Sequence, residues 1–480
     1  MHERPLDTPY LAIISVLLSA LIAMGIFSWI RPNQRVSFVH SLENRLLLTK
    51  ISPQSRTKEK VTLPDLCKAT TPSTCDLNPL LFNGHLQTAW TTVKNYDIPI
   101  YYKRKMFESD SSMYSGHFAV DFVVDPYEIP DDDEVTDKAR KFTLPSGLPS
   151  RTIFFREDEF AALPSDDTRP MLVLLHGLSG GSHELYLRHV LEGLLTEKGW
   201  EACVVNSRGC SQTKITSGML YNARATWDVR QTVKWLRKAF PNRPLFGIGF
   251  SLGANILANY LGEEGDACQL KAAVLVASPW NLEIGSLCLQ RTWLGMEVYS
   301  KTMGANMKRL FEQHVEEVSQ NPRVDIEEVR KSTYLFEFDR ALQCTAWGYP
   351  TEGAYYRDAS SVDSMLAIRI PFLAIQSEDD PIASYETLPL QEFKRTPYGV
   401  LATTPGGGHL GWFEYGGGRW FVKPVTNFLN AFAKEIDLTV PFTVENPDKV
   451  PGQIALHEDG TSPKLDFNAM RRKLDLPVVK

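Results

Sequence analysis

The chain is poor in the features that would place it in several common classes. Its seven cysteines, at positions 67, 75, 203, 210, 268, 288 and 344, include no C-x-x-C pair, which leaves neither a zinc knuckle nor a disulfide framework to build. No Asn-x-Ser/Thr acceptor occurs anywhere in the sequence. Scattered thiols without glycosylation sites suit a domain facing the cytosol. There is no basic excess: 51 Lys and Arg stand against 57 Asp and Glu, and a net charge of −6 argues against a nucleic-acid surface. No internal repeat interrupts the 480 residues. With 43% apolar and 22% charged residues, the chain has the composition of a folded globular protein with a sizeable core.

Charge is also missing locally. Residues 9–30 contain none. As a helix rising about 1.5 Å per residue they would span roughly 33 Å, the thickness of a bilayer core. Tyr10 and Trp29 lie near the two ends, where interfacial aromatics collect. The competing readings are a buried helix or a cleaved leader, but the run is long for a leader and no small-residue cleavage site follows it. A single-pass membrane anchor is the expectation. Arg31, Arg35, Arg45 and Lys50 follow the run, whereas Arg4 is offset by Glu3 and Asp7 before it, so the bulk of the protein is expected on the cytosolic side of its membrane.

After this 1–30 segment, residues 31–115 give mixed signals and read as an N-terminal extension. Strands begin at 118–124 and 152–156. The acidic run 131–134 reads as a solvated loop, having no spaced carboxylate or histidine to hold a metal. From 171 the pattern alternates: buried strand 171–175, helix 184–198, strand 202–205, helix 221–239, strand 245–250, a helix, and strand 272–277. Strands that are almost continuously apolar, separated by helices, predict a mostly parallel sheet with helices on both faces. Residues 282–365 break the alternation with helical patterns at 307–318 and 326–334. Strands at 371–375 and 399–403 and a helix at 420–434 then close a domain spanning 116–437. Residues 438–480, proline-containing and highly charged, read as a poorly ordered tail.

The chemistry is concentrated where strand 245–250 meets its helix, at Gly249-x-Ser251-x-Gly253. A serine on a tight strand-to-helix turn projects its hydroxyl above the sheet, the flanking glycines leave room for the neighbouring backbone, and the helix N-terminus faces the point where negative charge would develop. Such a nucleophile needs a base and a group to orient it, in chain order Ser, Asp or Glu, His. Three histidines follow Ser251. His314 lies in the helical insertion and His457 in the tail, whereas His409 follows a strand through Gly406-Gly407-Gly408 and is the expected base. The acid comes from Glu378-Asp379-Asp380. Asp380 is preferred from the turn that follows it, with Asp379 as a turn residue and the choice between the two left open. Backbone N–H groups of Leu252 and of Leu178, in the loop 176–181, are the expected oxyanion donors. His176 and His85 read as structural histidines.

Taken in order, Asn83-Gly84-His85-Leu86-Gln87-Thr88, His176-Gly177-Leu178-Ser179-Gly180-Gly181-Ser182, Asn206-Ser207-Arg208-Gly209-Cys210, Gly249-Phe250-Ser251-Leu252-Gly253-Ala254-Asn255, Asp379-Asp380-Pro381 and Gly408-His409-Leu410-Gly411 resemble the α/β-hydrolase superfamily. More narrowly they resemble the AB hydrolase-4 family, with its fungal medium-chain fatty-acid ethyl ester synthase/esterases and membrane-anchored mammalian lipid hydrolases. The resemblance covers residues 78–435. It implies an α/β-hydrolase fold with a Ser251–Asp380–His409 triad; the helical insertion 282–365 is expected to sit over that site as a lid, and neither cofactor nor metal is expected. It also implies hydrolysis of fatty esters or monoacylglycerols, with acyl transfer to an alcohol as an extension. The H-x-x-x-x-D acyltransferase motif of some relatives is not met by the residues after His409. The alternative readings are a serine peptidase of the same fold and a non-catalytic lipid-binding protein.

Overall fold

The computed structural model describes residues 34–446 apart from 53–56, 94–96, 129–132 and 197–198. In chain order its strands are β1 (Ser37–Val39), β2 (Leu46–Ile51), β3 (Lys58–Thr62), β4 (Tyr101–Glu108), β5 (His117–Val124), β6 (Thr152–Phe154) and β7 (Met171–Leu175). They continue with β8 (Glu201–Asn206), β9 (Leu245–Phe250), β10 (Leu270–Val276), β11 (Phe372–Ser377), β12 (Gly399–Thr404) and β13 (Thr443–Val444). Ten of them form one sheet in the order β1-β12-β11-β10-β9-β7-β8-β5-β4-β6. Six in the middle, β8-β7-β9-β10-β11-β12, run parallel.

Every residue of β7, β9, β11 and β12 is buried. Successive side chains of a strand point to opposite faces, so such strands need cover on both. One group of helices places Val422–Lys434 against Leu185–Leu195 and Leu63–Thr70; another places Leu252–Glu264 against Trp227–Ala239. The apolar runs of the sequence thus become the centre of a parallel sheet, as expected.

The sheet reaches further toward the N-terminus than the 31–115 boundary suggests. β4 and β5 pair as an antiparallel hairpin, β5 adds antiparallel to β8, and β1 closes the far edge against β12. β4 hides in the sequence because it carries Lys103, Arg104 and Lys105. Arg104 is nonetheless fully buried, gripping Asp121 through Nε–Oδ1 at 2.6 Å and Nη2–Oδ2 at 2.8 Å. The pair's remaining capacity is taken by the Ser211 carbonyl and hydroxyl, Thr213, Ser182 and Asn206, the condition under which a buried ion pair is tolerated.

Two other boundaries move. The helix expected from 221 begins at Trp227, because 222–226 form a turn closed by Ala225 N–H to Asn222 O. Part of the expected tail is ordered: β13 pairs with β2 in a three-stranded sheet β13-β2-β3, and Arg45 bonds Glu445 at 2.9 Å. The rest of the tail and the expected anchor at 9–30 lie outside the described residues. Within the described residues no helix is long and apolar enough to cross a membrane. Asp133 and Glu134 of the acidic run open a helix, Asp133–Phe142, rather than a loop. All seven cysteines are free, and no metal-holding group of side chains occurs among the described residues.

Between β10 and β11 the chain leaves the sheet as a string of helices. These include Leu282–Arg291, Lys301–Glu312 and Glu352–Ala359, and two π-helical stretches, Leu294–Ser300 and Asp339–Cys344.

Candidate active site

Ser251 stands at the C-terminal end of β9 with φ 52° and ψ −122°, a backbone conformation that a residue with a side chain adopts only when its surroundings force it. Its N–H is held by Val276 O at 2.9 Å. The two glycines of the motif are demanded by space. A Cβ at Gly249 would lie 2.5 Å from Gly253 O, and one at Gly253 would lie 2.4 Å from His176 O. Strand, turn and helix therefore lock together, and the Ser251 hydroxyl projects at the start of Leu252–Glu264.

Two later strand ends bring the partners in. The Ser251 hydroxyl donates to His409 Nε2 at 2.8 Å, and His409 Nδ1–H donates to Asp380 Oδ2 at 2.8 Å. Asp380 is buried, and its Oδ1 accepts N–H groups of Ile382 and Ala383, each at 2.8 Å. The neighbouring carboxylate does a different job. Asp379 Oδ1 accepts the Ser377 hydroxyl at 2.7 Å and the Gly408 N–H at 2.9 Å, so it ties the histidine loop to the end of β11. Of the two open choices, Asp380 is the one on the imidazole.

Loop 176–181 passes close over the serine: a Cβ on Gly177 would sit 3.3 Å from Ser251 Cβ. Gly177 N–H donates to the Tyr186 hydroxyl at 2.8 Å and Ser179 N–H to the Tyr221 hydroxyl at 2.9 Å, fixing the residues on either side of Leu178. Neither the Leu178 nor the Leu252 N–H has a hydrogen-bond acceptor among the described residues. His176 spans the loop, its Nδ1 at 2.7 Å from Gly177 O and its Nε2 accepting Ser207 N–H at 3.0 Å. Burial pushes its imidazole down to about 4, so it is neutral at ordinary pH and serves as a strut. His314, buried in the insertion, bonds Gly209 O at 2.9 Å and stays apart from this cluster. His457 lies outside the described residues. His85 bonds the Tyr299 hydroxyl at 2.7 Å.

The helix Gly84–Trp90 is the part of the site that reading single residues does not reveal. Asn83 caps it by accepting Leu86 N–H at 2.9 Å. Thr88 accepts the backbone N–H of His409 at 2.8 Å while donating to Gly84 O at 2.6 Å. Gln87 accepts Phe413 N–H at 2.8 Å and donates to Leu81 O at 3.0 Å. The approach is so close that a Cβ on Gly84 would meet Asp379 O at 1.8 Å. The signal available in sequence was the motif 83–88 itself, more than 300 residues from the loop it braces.

In front of Ser251 an open cleft runs under the insertion. Leu178 and Leu252 line it from the sheet side; Leu289, Met303, Met307 and Phe336 line it from the insertion. Among the described residues that line it there is no Lys, Arg or His. Asp339 also faces it, with burial pushing the carboxyl up to about 7 against the opposing pull of a hydrogen bond from the Tyr356 hydroxyl at 2.7 Å.

The sequence pattern described as the alpha/beta hydrolase fold matches residues 170–414. "Monoacylglycerol lipase" of Saccharomyces cerevisiae is 34% identical over 424 residues, spanning 84% of this chain and 92% of that protein. "Medium-chain fatty acid ethyl ester synthase/esterase 2" of the same yeast is 31% identical over 386 residues, spanning 74% of this chain and 85% of that protein. "Phospholipase ABHD3" of Mus musculus is 30% identical over 264 residues, spanning 54% and 62% respectively. With a Ser251 elbow at the end of a parallel strand and Asp380 and His409 delivered from the ends of β11 and β12, the chain belongs to the alpha/beta hydrolase fold family.

Proposed function

We propose that the protein is a serine ester hydrolase of neutral fatty esters, monoacylglycerols or medium-chain alkyl esters, working through an acyl-enzyme. The observation that carries this reading is the unbroken relay Ser251 Oγ–His409–Asp380, with both links at 2.8 Å, opening onto an apolar cleft. In the first half-reaction Ser251 Oγ attacks the ester carbonyl as His409 Nε2 takes its proton. Charge on the tetrahedral oxygen is met by the N–H groups of Leu178 and Leu252. Collapse expels the alcohol, which leaves with the proton from His409, and Ser251 holds the acyl group. Water, deprotonated by the same imidazole, then releases the acid. Asp380 keeps Nδ1 protonated and stabilises the imidazolium in both halves.

The lining of the cleft favours neutral esters over phospholipids, because no cation there would meet a phosphodiester. Apolar walls favour an acyl chain by about 0.8 kcal/mol per buried CH₂. An alcohol entering in place of water would yield a new ester; the printed name of the second yeast relative pairs synthesis with hydrolysis, and this transfer belongs to our proposal. So does a lid role for the insertion, and so does membrane attachment through residues 9–30 with the catalytic domain on the cytosolic side. Trp293, 72% exposed on the insertion, supports a lipid-facing mouth.

Ser251→Ala tests the central claim. The variant should lose turnover of p-nitrophenyl octanoate and of 1-octanoylglycerol by more than about 10³-fold, together with fluorophosphonate labelling. Undiminished labelling of a folded variant would refute the assignment. A dipeptide panel run beside the esters separates the peptidase reading, which predicts the opposite preference.

A further inference from the structure

Asp339 spends only one of its two carboxyl oxygens on the surrounding protein. It opens the π-helical stretch Asp339–Cys344 within the insertion, buried, on the wall of the same cleft that Ser251 lines. One oxygen, Oδ2, accepts the Tyr356 hydroxyl at 2.7 Å. The other, Oδ1, has no hydrogen-bond partner among the described residues, and the side chain forms no ion pair there. The nearest cation in sequence, Arg340, turns away to Glu352. Tyr356, Ser286 and Gln343 line the cleft with it, adding polar groups to a wall that is apolar at Leu289, Met303, Met307 and Phe336. Oδ1 is not sealed among apolar atoms but opens on the cleft, where a guest can bond it in place of water.

We propose that Asp339 is a specificity-determining residue that accepts a hydrogen bond from a free hydroxyl on the ester substrate. Tyr356 holds Oδ2 and so aims Oδ1 into the cleft. This rests on the ester-hydrolase reading for its context, while the recognition itself is a binding event that does not need Ser251 to react. A hydroxyl donating to this carboxyl satisfies the spare oxygen; an ester without one leaves it unpaired against methylene groups. Sites built to bond a substrate hydroxyl reject analogues lacking it far more strongly than apolar pockets reject a surplus one. The hydroxyl could sit on the alcohol, as in a glyceryl ester, or on the acyl chain.

The test uses unreactive ethers, so it stands apart from catalysis. The full chain, at pH 8.5 so that the carboxyl is ionised and at fixed detergent concentration, is titrated calorimetrically with 1-O-octylglycerol, with 8-ethoxyoctan-1-ol and with octyl ethyl ether. The first carries its hydroxyls on the head, the second on the chain end, the third has none. Wild type should bind one of the hydroxylated ethers at least tenfold more tightly than octyl ethyl ether, and which one identifies the source. Asp339→Leu should reduce that ratio to near unity, and Asp339→Asn, keeping one oxygen acceptor, should restore part of it. Tyr356→Phe should retain a preference. Equal binding of all three ethers by wild type would overturn the proposal. So would an undiminished ratio in Asp339→Leu or, should that variant not fold, in Asp339→Ala. If Ser251→Ala labelling instead disproves the hydrolase, the ether ratios still decide what Asp339 binds.

Discussion

His409 lies between two regions that meet the Ser251 centre in opposite ways. On one side the helix Gly84–Trp90 grips the histidine loop at close range: the Thr88 hydroxyl accepts the His409 N–H, the Gln87 side-chain carbonyl accepts the Phe413 N–H, and Gly84 and Gly408 bring the two backbones so near that there is no room for a methyl group. On the other side the insertion between β10 and β11 meets the centre across an open cleft, through long and adaptable side chains such as Met303 and Met307. The first kind of contact fixes position to a few tenths of an ångström; the second leaves space for a guest. Proton transfer between Ser251 and His409 needs the first, and substrate choice needs the second.

The strongest way to break the contrast is to spoil the tight side. An exposed helical glycine changed to alanine usually gains stability, by up to about 1 kcal/mol. At Gly84 the sign should reverse, because the new Cβ would fall 1.8 Å from the Asp379 carbonyl oxygen, and backbone cannot rotate away as a side chain can. Gly84→Ala should cost about 1–3 kcal/mol of stability. By displacing Asp379 and the loop it holds, it should also cut ester turnover roughly 10²-fold. Thermal denaturation and kcat measured together would show both losses; a stable, fully active variant would mean the helix is packing and nothing more.

Thr88 offers a milder probe. Thr88→Val keeps the shape and removes the hydroxyl that accepts the His409 N–H, leaving that buried donor unpaired at about 1–3 kcal/mol. Turnover should fall about tenfold through kcat, with KM little altered, since the cleft is untouched. Thr88→Ser should recover most of it. A change confined to KM would move Thr88 from the histidine's support to the substrate's.

The two sides were also unequally legible in the sequence. The parallel strands were readable because a strand buried on both faces has an almost unbroken apolar code, and Ser251 because its turn requires glycines at two fixed positions. His409 emerged by elimination among three histidines. Asp379 and Asp380 could not be separated by position, since adjacent residues at one strand end point in different directions, and only the hydrogen bonds assign one to the imidazole and the other to the loop. Arg104 hid β4 by placing a charge where the pattern expects an apolar residue, and its partner Asp121 sits on the next strand. The start of the helix at Trp227 was obscured because the turn before it carries Tyr221 and Ala223, which look helical but face the cleft. Asp339 was invisible: one acidic residue in a helical segment reads as surface charge until the fold buries it.

The effect that leaves turnover aside and is read only in melting temperature, as a few degrees, sharpens the comparison by pH. A buried titratable group on each side is shifted by burial, and the two shifts run in opposite directions. His176, on the sheet side, is held down to about 4 by burial. The unfolded chain takes up a proton near pH 6.5 that the folded chain refuses, so its contribution is present above pH 6.5 and is lost as pH falls toward 4. Asp339, on the insertion side, is pushed up to about 7, again by burial. Here the folded state keeps a proton that the unfolded chain gives up near pH 3.8, so its contribution is fully present below pH 3.8 and is lost as pH rises through 7. Asp339→Asn cannot ionise, and should therefore gain on the wild type as pH rises from 5 to 8, by on the order of 3 kcal/mol, or a few degrees for a chain of this size. The same scan should find both proteins losing stability in acid whether or not residue 339 is changed, because that loss comes from histidines held down by burial, His176 and His189 foremost. Melting curves for both proteins at pH 5, 6, 7 and 8 decide the matter. A constant gap between them across that range would mean that the Asp339 carboxyl is as ionised inside the cleft as it is in water.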